Sequence, residues 1–154
     1  MGIQADRTAK NQLNPADRCV GESMPVTWEI RGQILIVTLV GDYGFDEPVQ
    51  AVTEALADAQ FRSGTSLLVD ARLSHARRSS EEFRTRAKWV ASLGSKGLSS
   101  RCAIVIAPEP HQIGMARMVA THHEIQGLEM SIFTDREEAF RWLSNGNSLI
   151  SSAK

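Results

Sequence analysis

From Pro25 onward, strand-like apolar runs alternate with apolar stripes of helical period, and this alternation limits the fold more than any other feature. Val26, Trp28 and Ile30 alternate with Thr27, Glu29 and Arg31, the two-residue period of a half-buried strand. Gly32-Gln33 makes a tight turn into Ile34 to Val40, a nearly continuous run rich in β-branched residues. The two runs predict an antiparallel hairpin. Gly41-Asp42-Tyr43-Gly44 breaks the second strand. Asp46 then caps a helix with Pro48 in its first turn, where a missing N–H costs little, and Val49, Val52, Leu56 and Ala59 form its stripe.

Gly64 ends this unit. Leu67 to Val69 predict a short buried strand stopping at Asp70, and Ser79 with Glu82 forms a capping box for the next helix. Phe83, Ala87, Val90 and Leu93 are its stripe, closed by Gly94. Ala103 to Ala107 predict another buried strand, halted by Pro108. A third helix starts near Pro110 with Ile113, Ala116, Val119 and Ala120 facing inward. Leu128, Met130, Ile132 and Phe133 give a last strand. Thr134 with Glu137 then caps a helix whose stripe is Ala139, Phe140 and Leu143, ending at Gly146. The order is β-β-α-β-α-β-α-β-α: an α/β domain over 25–146, with a mostly parallel mixed sheet of about five strands and about four helices. Residues 1–24, polar and interrupted by Pro15 and Gly21, read as a flexible tail, and 147–154 as a frayed one.

A chain of 154 residues suits one domain, and a net charge of −1 gives no global drive toward nucleic acid or anionic membrane. The run from Ile34 to Val40 is too short to span a bilayer, and the N-terminus lacks the apolar core of a secretory leader. Cys19 and Cys102 form neither a disulfide framework nor a metal pattern. A reduced, cytoplasmic protein without cofactor or metal is the expectation.

This succession opens with a hairpin. It ends in a strand running directly into the capped helix Phe133-Thr134-Asp135-Arg136-Glu137-Glu138-Ala139-Phe140-Arg141-Trp142-Leu143. It resembles the STAS / SpoIIAA-like superfamily over about residues 25 to 145, most of all the bacterial SpoIIAA-like proteins that finish with an acidic-aromatic helix. The resemblance implies a SpoIIAA-like fold and a non-enzymatic role like that of anti-sigma factor antagonists, sulfate-transporter tails or stressosome components. Several such switches are controlled by phosphorylation of a serine in an Asp-Ser-Ser-Gly-like motif at the start of the helix after the third strand. Counting on from Asp70 places Arg78-Ser79-Ser80-Glu81 there, with Arg78 in place of the acid and Glu81 in place of the glycine. Lipid-binding relatives of CRAL-TRIO/SEC14 type imply, as a second possibility, an apolar pocket.

Phosphate on Ser79 or Ser80 would meet free helix N–H groups and the cations Arg77 and Arg78, although a helix cap explains the same serines. His75 and His111 lie past the carboxyl ends of predicted strands, with Asp70 near, at the edge where open α/β sheets bind ligands. Such a trio could move protons or hold a metal, but no motif surrounds it, and surface loop histidines are the simpler reading. His122-His123-Glu124 reads as a solvated helix end, since adjacent helical residues diverge by about 100°. Gly41-Asp42-Tyr43-Gly44 matches no phosphate loop, and Asp42 and Tyr43 are kept as partner-facing candidates. Charge is segregated: +6 from Arg72 to Arg101 and −5 from Gly32 to Gln60, separated patches suited to electrostatic docking with a protein. Trp89 and Trp142, beside their stripes, suit a contact surface such as a homodimer's. The expectation is a regulatory domain acting by protein contact through loop 41–46 and the Ser79 helix. A small-molecule (lipid or anion) carrier or sensor using Asp70, His75 and His111 is the alternative, and a small hydrolase a third.

Overall fold

The computed structural model describes residues 25–152, so the predicted tail 1–24 lies outside them. β1 (Val26–Arg31) and β2 (Ile34–Gly41) form the antiparallel hairpin, with Gly32 at φ 61° making the turn. β3 (Thr65–Ser74), β4 (Leu98–Val105) and β5 (Glu129–Phe133) join in parallel, giving one sheet of order β1-β2-β3-β4-β5. The helices are α1 (Glu47–Leu56), α2 (Ser80–Ser92), α3 (Pro110–Ile125) and α4 (Arg136–Ser152).

Right-handed crossovers between strands laid down in sequential order put every crossover helix on the same face. Val52 and Ala55 of α1, Val90 of α2 and Ala116 and Ala120 of α3 accordingly share one core with Leu35, Val37 and Leu67. The other face packs Ile34, Ile36, Leu68, Ala103 and Val105 against Ala139 and Leu143 of α4. The parity of the strands divides the layers: odd residues of β2 face three helices, even residues one.

Several boundaries depart from the sequence reading. β3 starts at Thr65 and continues past Asp70, and β4 starts at Leu98, because a paired neighbour on one side carries the ladder beyond the apolar runs: β2 beyond Asp70, and β3 at Leu98. α1 buries Pro48, Ala51, Val52 and Ala55; of the predicted stripe Val52 and Leu56 pack on the core, while Ala59 lies beyond the helix and alanines, whose weak apolar signal hid them, complete the face. Asp46 stands at the α1 N-cap but is already helical (φ −86°, ψ −12°), and its carboxylate makes no cap bond. α2 stops at Ser92 rather than Gly94. A 3-10 turn over Leu93–Lys96 follows, and Gly97 (φ 106°) turns the chain where a Cβ would sit 3.2 Å from the Ser63 backbone. α4 passes through Gly146, and the Asp135 carboxylate, not the Thr134 hydroxyl, accepts a first-turn N–H, that of Glu137 at 3.4 Å.

Leu35 is fully buried at the centre of the three-helix core. Leu35→Ala is expected to lower the unfolding free energy by about 2–5 kcal/mol. Urea denaturation checks this, and a loss well under 1 kcal/mol would contradict the placement.

Candidate functional site

Between the sheet and the three-helix layer lies a cavity of about 150 Å³. Val37, Leu67, Val69 and Ile104 form its floor, and Phe83, Trp89, Met115 and Val119 line it from α2 and α3. Tyr43, Phe45, Arg78, Arg86, His111 and His123 also line it, so a few polar groups converge on an apolar interior, the usual make-up of a small-molecule site.

A bulge in β3 shapes one wall. Thr38 pairs with Asp70 but Val40 with Leu73, so β3 carries one extra residue there. The extra residue reverses the parity of the strand beyond it. Val69 and Ala71 face the cavity before the bulge, Ser74 and Ala76 after it. Ser74 thereby meets Tyr43, Oγ to Oη 2.8 Å. Burial, opposed by this bond and by Arg78 and Arg86, raises the Tyr43 phenol above its ordinary range.

Two arginines tie loop 42–46 to the start of α2. Arg78 donates to the Tyr43 carbonyl at 2.6 Å, and Arg86 donates to the Phe45 carbonyl. Both guanidiniums lie against the Phe45 ring, at 5.6 Å and 4.3 Å from its centroid, and Arg78 lies 5.4 Å from that of Tyr43. Burial lowers the proton affinity of Arg86, and neighbouring Arg78 lowers it further. The acidic and basic segments, read from sequence as separated patches, therefore meet here, with Asp46 and Glu82 close enough to act on Arg86.

The sequence-predicted residues divide between this cavity and elsewhere. Tyr43 and Arg78 line it partly buried, His111 lines it while remaining exposed as a surface histidine, and Asp42 is exposed. Asp70 is 4% exposed on the opposite face, because it follows the parity of Leu68 rather than that of Val69 and Ala71. Burial there would raise its carboxyl, but the bidentate guanidinium of Arg72 (2.9 and 2.8 Å), with Arg136 at 3.8 Å, holds it below the ordinary range. The sheet thus separates Asp70 from His111. His75 is exposed, its N–H donating to the Gly41 carbonyl at 2.8 Å. Arg77 approaches His111 Nδ1 at 3.4 Å. Ser79 forms the predicted capping box: Glu82 N–H to Ser79 Oγ is 3.1 Å and Ser79 N–H to Glu82 Oε1 is 2.8 Å. Ser80 Oγ lies 2.9 Å from His122 Nε2.

His123 corrects the reading of a solvated helix end. It is 3% exposed, with Nδ1 2.9 Å from the Val119 carbonyl, and burial, helped by Arg86 and His122, lowers its pKa. Sequence reasoning misses both Arg86 and His123, yet both carry a signal. Arg86 stands inside the stripe Phe83, Ala87, Val90, and His123 continues Ala116 and Ala120 at helical spacing. A polar residue on a buried stripe points toward something. Among the described residues no three His, Cys, Asp or Glu side chains gather as a metal site, and no helix is long and apolar enough to cross a membrane. Cys102 is wholly buried, its thiol pushed up to about 12 by desolvation.

A five-stranded mixed sheet in sequential order, three helices on one face and one on the other, defines a SpoIIAA-like fold. No family model matches the chain, and no curated protein matches it. Among solved structures it is similar to an uncharacterized protein of the DUF3478 family with a SpoIIAA-like fold, from Shewanella loihica PV-4. The TM-score is 0.50 at 17% identity, over 77% of this chain and 91% of that one. At that identity the likeness establishes the fold alone.

The lowered pKa of His123 makes stability depend on pH. The unfolded chain takes up its proton near the ordinary 6.5 while the folded state resists it. Below that pH the unfolded state binds more protons, so stability falls as pH is lowered. Urea midpoints measured at pH 7.5 and 5.5 are expected to fall more in the wild type than in His123→Gln. Equal falls would show that His123 does not set the dependence.

Proposed function

We propose that this domain binds a small apolar molecule between its sheet and its three-helix layer, and senses or carries it without transforming it. The apolar cavity, partly open to the surface, is the observation that supports this reading most directly. An engineered cavity of about 150 Å³ with aliphatic and aromatic walls binds benzene, whereas drug-sized ligands occupy about 300–1,000 Å³. The ligand is therefore one ring or a short chain rather than a whole lipid tail. A non-catalytic role is supported by the disposition of the polar groups. Ser74 is bonded to a phenol whose raised pKa keeps it protonated and so unable to accept a proton, and the Nδ1 atoms of His111 and His123 face Arg77 and the Val119 carbonyl. Toluene at about five times its Kd should raise the unfolding free energy by about 1 kcal/mol. Val119→Phe, which fills the space, should abolish that gain while keeping native circular dichroism. Toluene without effect on either protein, together with no retained mass in native mass spectrometry, would end this reading.

A second reading, regulation by protein contact, is favoured by the exposed Ser79-Ser80 pair beside Arg77, next to loop 42–46. An aspartate caps a helix about as well as serine, so Ser79→Asp adds charge without removing the cap. Loss of a host partner from a pull-down with Ser79→Asp or Ser80→Asp, but not with the alanine variants, is the expected result. Equal recovery by all four variants would count against it.

A further inference from the structure

We infer that the ligand is a small monocarboxylate, an aryl or short-chain acid whose apolar body fills the cavity and whose head group lies against Arg78 and Arg86. This rests on the cavity-binding reading above and adds the ligand's charge and the side chains that recognise it.

The arginines of the described residues fall into three groups. Arg31, Arg72, Arg84, Arg101 and Arg136 each have a carboxylate within 4.0 Å. Arg62, Arg77, Arg117 and Arg141 are exposed. Arg78 and Arg86 alone, among the described residues, are partly buried, line the cavity and form no ion pair. Their acceptors are neutral carbonyls and their neighbours are aromatic rings. Two like charges in an apolar wall are costly unless an anion joins them. Each guanidinium has five N–H donors, and each spends one nitrogen on a loop carbonyl, so donors remain for a carboxylate without displacing the loop. A single negative charge suits the place better than a phosphate dianion, which would also face Asp46 and Glu82. The cavity volume limits the apolar part to about the size of one ring.

Calorimetric titration of the full chain with benzoate, benzyl alcohol and phenyl phosphate separates the possibilities. Benzoate is expected to bind at least about ten-fold tighter than benzyl alcohol, the scale of a charge-assisted hydrogen bond. Arg86→Gln and Arg78→Gln should each remove most of that preference, read as the ratio of benzoate to benzyl alcohol affinity within each variant. The wild-type comparison needs no variant, so it holds even if a substitution impairs folding. Equal binding of benzoate and benzyl alcohol, or a preference that survives both substitutions, overturns the carboxylate inference and leaves the cavity reading intact. Tighter binding of phenyl phosphate overturns the choice of head group. Failure of all three to bind overturns the cavity reading itself.

Discussion

The central strands β2, β3 and β4 are apolar on both faces, and the need to cover them governs the rest of the molecule. Ile34 and Ile36 point one way, Leu35 and Val37 the other, so neither face can be left in water. Sequential strand order with right-handed crossovers stacks α1, α2 and α3 on one side. That leaves the opposite face to α4, which can cover it only because no strand comes after β5 in this sheet. The thick layer and the thin layer therefore have different packing tasks, and the cavity belongs to the thick one.

The three-helix face does not close completely. Ala71, Ala76 and Ala116 contribute small side chains to the lining, and Phe83, Trp89 and Met115 contribute large ones. Interiors pack densely as a rule, so a void lined by short residues and long ones together is a departure that sequence must specify. Loop 42–46 adjoins the end of β2, and Arg78 and Arg86 bind its carbonyls, which positions Tyr43 and Phe45 against the space. Loop, floor and helix layer are thus parts of one construction.

Much of this is legible in the chain. Period-two alternation in Val26 to Arg31, the apolar runs of the later strands and the helix stripes locate every strand and α-helix and their order, because they report directly which atoms leave water. The Ser79 capping box is legible as well, since its chemistry is local. What periodicity cannot carry is parity across an irregularity. The β3 bulge turns Ser74 toward the cavity while Asp70 stays on the α4 face, so residues grouped by their place at a strand end are parted by the sheet. Arg86 and His123 escape notice for a related reason. Each reads as polar and therefore as exposed, although its position on a buried stripe contradicts that. Alanine-lined faces, as in α1, escape any stripe drawn through large residues.

The two faces use arginine in opposite ways, and the contrast bears on function. On the α4 side, Arg72 grips Asp70 in a fork and Arg136 bridges Asp70 to Glu29 at 3.3 Å, so each charge meets an opposite charge supplied by the chain. Such a cluster removes the cost of burying Asp70 and has no evident capacity left for an outside ion. On the cavity side, Arg78 and Arg86 are held in place by rings and carbonyls, which orient a cation without neutralising it. A preorganised cation with no carboxylate bonded to it is what recognition of an anion requires, because the protein need not reorganise when the ligand arrives. The arginines of the α4 face meet their carboxylates within the fold; those of the cavity, on this reading, bond a carboxylate that a ligand supplies.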